Sequence, residues 1–256
     1  MARSLWPREH GAYVQLGAPL VAALVTGVTD AALLLALAAC CAFLANEPLL
    51  VLLGHRGQRV QASHGSRARR RLIVIVALAV GAGIGGLAMA TPATLRIAAI
   101  ACVPALALVG LAVARAERTL AGELVAAFAL AGTAAPVAVA AGWSIHDAVV
   151  TWLAWSIGYA STVIAVHRVI DRHRRPSSPR DVVIVVVLTV VLAASLLVAT
   201  WHASALVAGP LVLAATVLVL HPPSAGRLRA VGVGLLVTSL GSAALASVTH
   251  VFELTV

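Results

Sequence analysis

VVIVVVLTVVLAASLLVATW, residues 182–201, runs for twenty positions without a charge. At ~1.5 Å per residue it makes a helix of ~30 Å, the thickness of a bilayer's hydrocarbon core. Comparable apolar runs recur from end to end, at about 11–28, 31–53, 72–91, 95–114, 120–141, 146–167, 204–221 and 229–251, giving nine spans with the first. The composition agrees, with 61% hydrophobic residues and only 11% charged. In lipid only helices or closed barrels satisfy their own backbone hydrogen bonds, and the period-two alternation of a barrel strand is absent. The fold class is therefore all-α, a polytopic transmembrane bundle forming one domain over residues 1–256.

Charge sets the orientation. The chain has eighteen arginines and no lysine, and seventeen of the arginines fall on the N-terminal segment or the even-numbered connections. Only Arg96 lies on the other side, so the positive-inside rule puts the N-terminus in the cytoplasm and the C-terminus outside. The net charge of +9 sits on short connections between spans, where it orients the chain and attracts anionic lipid headgroups; no nucleic-acid partner is implied. The long connections, 54–71 and 168–181, are both basic and both cytoplasmic, so function is expected to face that side. No cleavable signal peptide is read in MARSLWPREH, which is too polar. Cys40, Cys41 and Cys102 lie within spans and read as small packing residues. Pro19, Pro48, Pro104, Pro136 and Pro210 fall inside spans, where each removes a backbone donor and kinks its helix, making room for cavities. Gly81 and Gly85, with Gly83 and Gly86 beside them, form a small-xxx-small pattern of the kind that lets helices approach closely.

Ionisable groups cost at least ~2.5 kcal/mol near a bilayer's centre, so those that occur there need a partner, a wet cavity or a task. Four places stand out. In PREHGAY, residues 7–13, Glu9 and His10 open the first span, either as a capped interfacial helix start or as an acid/base or phosphate-contacting pair at the cytoplasmic mouth. Asn46 and Glu47 precede Pro48 roughly 10 Å inside the second span, where a carboxylate needs a cation or a proton. Glu123, in LAGELVAAFALAG, stands near the start of span five, where helix capping competes with a functional role. In GYASTVIAVHRVIDRHRR, residues 158–175, His167, Asp171 and Arg175 form one helical row flanked by Arg168 and Arg172. Surface ion pairing accounts for that row, as does a mouth for an anionic headgroup such as a diphosphate. His55, His64, His173 and His221 are expected to be solvated on loops.

PREHGAY, ANEPLLVLLGHR at the end of span two, the GE of span five and the span-six exit together resemble the YwiC-like family of bacterial membrane proteins, over most of the first 175 residues. The resemblance implies a multi-pass protein of the bacterial inner (plasma) membrane and no particular activity. The nine-span layout, with its principal loops after spans two and six, is also similar to the UbiA superfamily of membrane prenyltransferases. That resemblance implies an isoprenoid or other lipidic anionic substrate, and magnesium bridged between aspartate-rich motifs to neutralise a prenyl diphosphate. Here the first motif is reduced to Asn46 and Glu47 and the second to Asp171. Either Glu47 and Asp171 hold one magnesium, with arginines replacing a second ion, or the metal-dependent step has been lost or greatly altered.

Three function classes follow. One is an enzyme on a lipidic substrate in a cytoplasm-facing cavity. Asn46, Glu47, His167 and Asp171 would anchor the substrate, Arg168 and Arg172 would clamp its phosphate, and Glu9, His10 or Glu123 would transfer protons. The second is a small-molecule or lipid transporter, and the third a non-catalytic membrane subunit. The sequence contains no P-loop, dinucleotide fingerprint or serine nucleophile elbow.

Overall fold

The computed structural model describes residues 10–172, 179–223 and 228–253, and every regular element among them is a helix. In chain order these are α1 His10–Val25, α2 Asp30–Leu52, α3 Gln58–Ala88, α4 Pro92–Val113, α5 Leu120–Gly132, α6 Ala134–Ala140, α7 Ile145–Arg172, α8 Pro179–Ala199, α9 Ala208–Leu220 and α10 Leu228–Glu253. A 3-10 turn, Ala203–Val207, leads into α9. Eight stretches are long and apolar enough to cross a membrane, with α5 and α6 together making one of them. The remaining predicted span, the first, is α1, which has 16 described residues and is a shorter apolar helix. The chain is a multi-pass membrane protein.

The break between α5 and α6 has a local cause. Pro136 cannot donate to the carbonyl four residues earlier, and the chain departs from α-helix at Thr133, whose hydroxyl turns back to the Leu130 carbonyl at 2.7 Å. Elsewhere the helices outrun the hydropathy. Most of the predicted loop 54–71 is helical: α3 starts at Gln58 and extends for 31 residues, ~46 Å, more than a hydrocarbon core requires. Its first turns carry Arg59, Arg67, Arg69, Arg70 and Arg71. Hydropathy marks where lipid ends, whereas arginine, glutamine and alanine continue a helix well in water. For the same reason α7 runs on to Arg172.

α2 and α3 form a closely packed antiparallel hairpin, α7 packs on α5 and α9, and α1 lies against α10 and α6. The intimate α2–α3 approach is at Gly86, where an added Cβ would come within 2.9 Å of Leu35; at Gly81 such a Cβ meets nothing. Gly83 and Gly85 also face α2, at Ala38 and Leu34, so of the four glycines named from the sequence only Gly81 lies away from it. α3 and α4 are joined by residues 89–91 alone, yet they share almost no contact beyond that connection. Large apolar side chains such as Ile73, Leu106, Val183 and Val237 are exposed around the bundle, the surface that lipid requires.

The arginine-poor end is tied shut. The Trp143 indole N–H donates to Thr26 Oγ1 at 2.7 Å, and its ring stacks on His250 at 3.9 Å between centroids. Thr29 Oγ1 donates to the Ala140 carbonyl at 2.9 Å. Cys41 is buried as expected of a packing residue, whereas Cys102 is exposed on α4.

Candidate functional site

A cavity of about 480 Å³ lies among α1, α2, α3, α4 and α5, towards the arginine-rich end. Its walls are almost entirely apolar and rich in alanine, while Asn46, Glu47, Arg56 and Glu117 gather at one end. Its volume falls within the roughly 300–1,000 Å³ of small-molecule sites. On the α3–α4 side it is lined by Val76 and Val109, whose exposures are 41% and 50%. The cavity thus opens sideways through the gap that these two helices leave.

Glu47 is 1% exposed, and its counter-charge is Arg56. Arg56 Nε donates to Oε1 at 2.9 Å and Nη2 to Oε2 at 2.5 Å, a two-pronged pairing. The backbone dictates this reach. Gly54 has φ +75° and ends α2 in a Schellman turn, with its N–H on the Val51 carbonyl at 3.1 Å and that of His55 on Leu50 at 3.0 Å. Gly57, at φ +94°, then reverses the chain into α3. Two left-handed glycines therefore fold His55 and Arg56 back beneath α2. Gln61 Nε2 closes the turn by donating to the Leu52 carbonyl at 2.6 Å. Tyr13 stands edge-on to Phe43 with centroids 4.9 Å apart, close enough to Arg71 and Glu47 to sense both charges.

His55, expected to be solvated, is buried against Glu117 of the α4–α5 connection, Nδ1 to Oε1 3.8 Å. That connection repeats the first. Arg115, at φ +59°, occupies the left-handed position, and the Ala116 N–H reaches the Leu111 carbonyl at 2.9 Å. Thr119 caps α5 by accepting from the Gly122 N–H at 3.0 Å. A Cβ at 122 would run into the Ala116 carbonyl oxygen and come 3.0 Å from Glu117 Cα, so the glycine of the GE pair lets α5 lie against the turn.

The other predicted residues form a second group. Glu123, in the first turn of α5, meets His167 of α7 at 2.8 Å, Oε2 to Nε2. Both are partly exposed. Arg168 follows, half-buried, and Asp171 is exposed near the end of α7. None of these α7 residues lines the cavity that Asn46 and Glu47 line. Glu9 and Arg175 lie outside the described residues, as do the side chains of His10 and Arg172.

The expectation of magnesium between Glu47 and Asp171 finds no fit in this arrangement. Both oxygens of Glu47 serve Arg56, and Asp171 projects from a different group of residues. Among the described residues no three His, Cys, Asp or Glu side chains gather to hold a metal ion.

The sequence pointed to Glu47 by its depth but missed Arg56, His55 and Glu117, which were assigned to loops. The signal for the first two was GHRG, residues 54–57, two glycines bracketing two ring or guanidinium donors just after a span. For Glu117 it was a lone acid between Arg115 and Arg118.

No curated protein and no solved structure matches the chain. The family model described as YwiC-like protein matches residues 6–139, just over half of the chain. The matched segment contains every residue that lines the cavity and stops short of His167, Arg168 and Asp171. The chain belongs to the YwiC-like family.

Proposed function

We propose that this protein handles lipid: the cavity takes the apolar chain of an isoprenoid or similarly slender amphiphile from the bilayer, through the opening between α3 and α4. The head of the ligand then lies at the cytoplasmic end, beside Glu47 and Arg56. The observation that carries this is an apolar cavity open sideways at Val76 and Val109 with buried charges at one end. A water-soluble substrate would need neither a lateral mouth nor an alanine-lined trough. The family match adds support, because it covers the cavity in full.

From the UbiA-like layout the proposal keeps the lipidic substrate class and the cytoplasmic mouth. Diphosphate ionisation is no part of it. An anionic head in the cavity would meet Arg56 already paired with Glu47, and the Glu117 carboxylate nearby. The arginines predicted to clamp phosphate, Arg168 and Arg172, belong to the end of α7.

The test is thermal unfolding of the detergent-purified protein with prenyl alcohols of five to twenty carbons, and with geranylgeranyl diphosphate in magnesium or EDTA. A ligand at 100 times its dissociation constant stabilises by roughly 2.7 kcal/mol. Stabilisation should grow with chain length and disappear in Ala105→Phe, which fills the cavity from α4. Equal responses at all chain lengths, or none, would reject the lipid cavity. A response requiring both diphosphate and magnesium would restore prenyltransferase-type chemistry.

A further inference from the structure

Two buried polar atoms at the head of the cavity have no hydrogen-bond partner among the described residues: Nδ1 of His55 and Oε2 of Glu117. Nδ1 is 3.8 Å from the other carboxylate oxygen, Oε1. That is beyond the ~2.7–3.2 Å of an N–H···O bond, so the two side chains face each other across a gap. Buried polar groups are nearly always satisfied, and each exception calls for an explanation. Each residue is carried on its own backbone turn, His55 between left-handed Gly54 and Gly57 and Glu117 just after left-handed Arg115. The neighbouring Glu47–Arg56 pair makes no hydrogen bond to either atom. Glu117 lines the cavity, so the gap adjoins the space in which a ligand would lie.

We infer that the gap between His55 and Glu117 is a seat for the hydroxyl group of a long-chain alcohol or phenol. This rests on the lipid-cavity function proposed above and names the head of its ligand. A carboxylate facing the imidazole favours the ring form that carries its proton on Nδ1, which makes the pair one donor and one acceptor. A hydroxyl has one O–H and two lone pairs. It donates to Glu117 and accepts from His55 with a single oxygen. An ionised phosphate oxygen only accepts and would bring negative charge against Glu117. An ammonium only donates and would confront the Nδ1–H.

The experiment compares binding of geranylgeraniol, its methyl ether and geranylgeranylamine to the full chain, by ligand-induced thermal shift and by competition. The alcohol should bind about tenfold or more tightly than the ether, which has lost the donor. Glu117→Leu and His55→Phe should bring alcohol and ether to the same affinity while both ligands still bind. If alcohol and ether bind the unaltered protein equally, the gap holds water alone and the hydroxyl seat is refuted, with the lipid cavity left standing. Tighter binding of the amine would equally refute it, by making the pair an acceptor-only site. If none of the three binds, the cavity's function falls and the hydroxyl seat with it. The comparison on unaltered protein decides the matter even if a variant fails to fold.

Discussion

Cutting the Glu47–Arg56 pair on one side should be among the most damaging single changes in this chain. Glu47 is 1% exposed, and Arg56 places two guanidinium nitrogens on its two oxygens, at 2.9 and 2.5 Å. Removing one member of such a buried pair costs ~3–5 kcal/mol, chiefly because the other charge stays behind in a place that solvates it poorly. Replacing both by apolar groups of similar volume is often neutral. Glu47→Leu and Arg56→Met should thus each cost ~3–5 kcal/mol, and the double variant far less than their sum. At roughly 2–4 °C per kcal/mol for a chain of this size, each single change lowers the unfolding midpoint by at least about 6 °C. Thermal unfolding of the unaltered protein and the three variants, in one detergent and at one pH, measures the cycle. Single-variant losses below about 1 kcal/mol, the range of exposed pairs, would show that water reaches Glu47. A double variant as unstable as the sum of the singles would show that the two side chains are not coupled.

Arg115→Gly should raise stability by about 1 kcal/mol in the same unfolding assay, because φ +59° is costly for a residue with a Cβ and open to glycine. A loss would mean that the arginine side chain contributes more than its backbone costs. Gly122→Ala should destabilise by ~1–3 kcal/mol, since its Cβ would press on the Ala116–Glu117 turn; an unchanged midpoint would show that this turn yields. Glu123→Gln should change stability by less than about 1 kcal/mol, because Glu123 and His167 are both partly exposed. A larger loss would make that pair structural.

Much of the fold was legible because lipid imposes a length and a composition on each crossing. The run 182–201 and its counterparts could hardly be anything but spans, and Pro136 announced the interruption of the fifth. Helix ends were less legible where hydropathy and helix propensity part company, as in the first turns of α3. The glycine-rich turns of α3 were legible as a packing surface, but spacing alone does not say which glycine lies tightest: Leu35 presses on Gly86, whereas Gly81 meets nothing. In the site, burial cost singled out Glu47, whereas its partner lies nine positions away across a turn whose direction depends on the left-handed backbone of Gly54. Glu123 and His167 were each singled out from the sequence, but 44 positions separate them, and no local pattern links two such residues. Arg56, His55 and Glu117 look like loop residues because hydropathy does not register a chain that folds back under its own helix.

The most direct test of a lipid entering between α3 and α4 is photolabelling in native-like vesicles with a geranylgeraniol analogue carrying a diazirine near the chain's far end, followed by peptide mapping. Label should concentrate on the cavity-facing residues of α3 and α4, Leu72, Val76, Ala79, Ala105, Leu108 and Val109, and an excess of unmodified alcohol should compete it away. Label spread over the outer faces of α8 and α10, at Val183 and Val237 for example, and indifferent to competitor, would contradict the account.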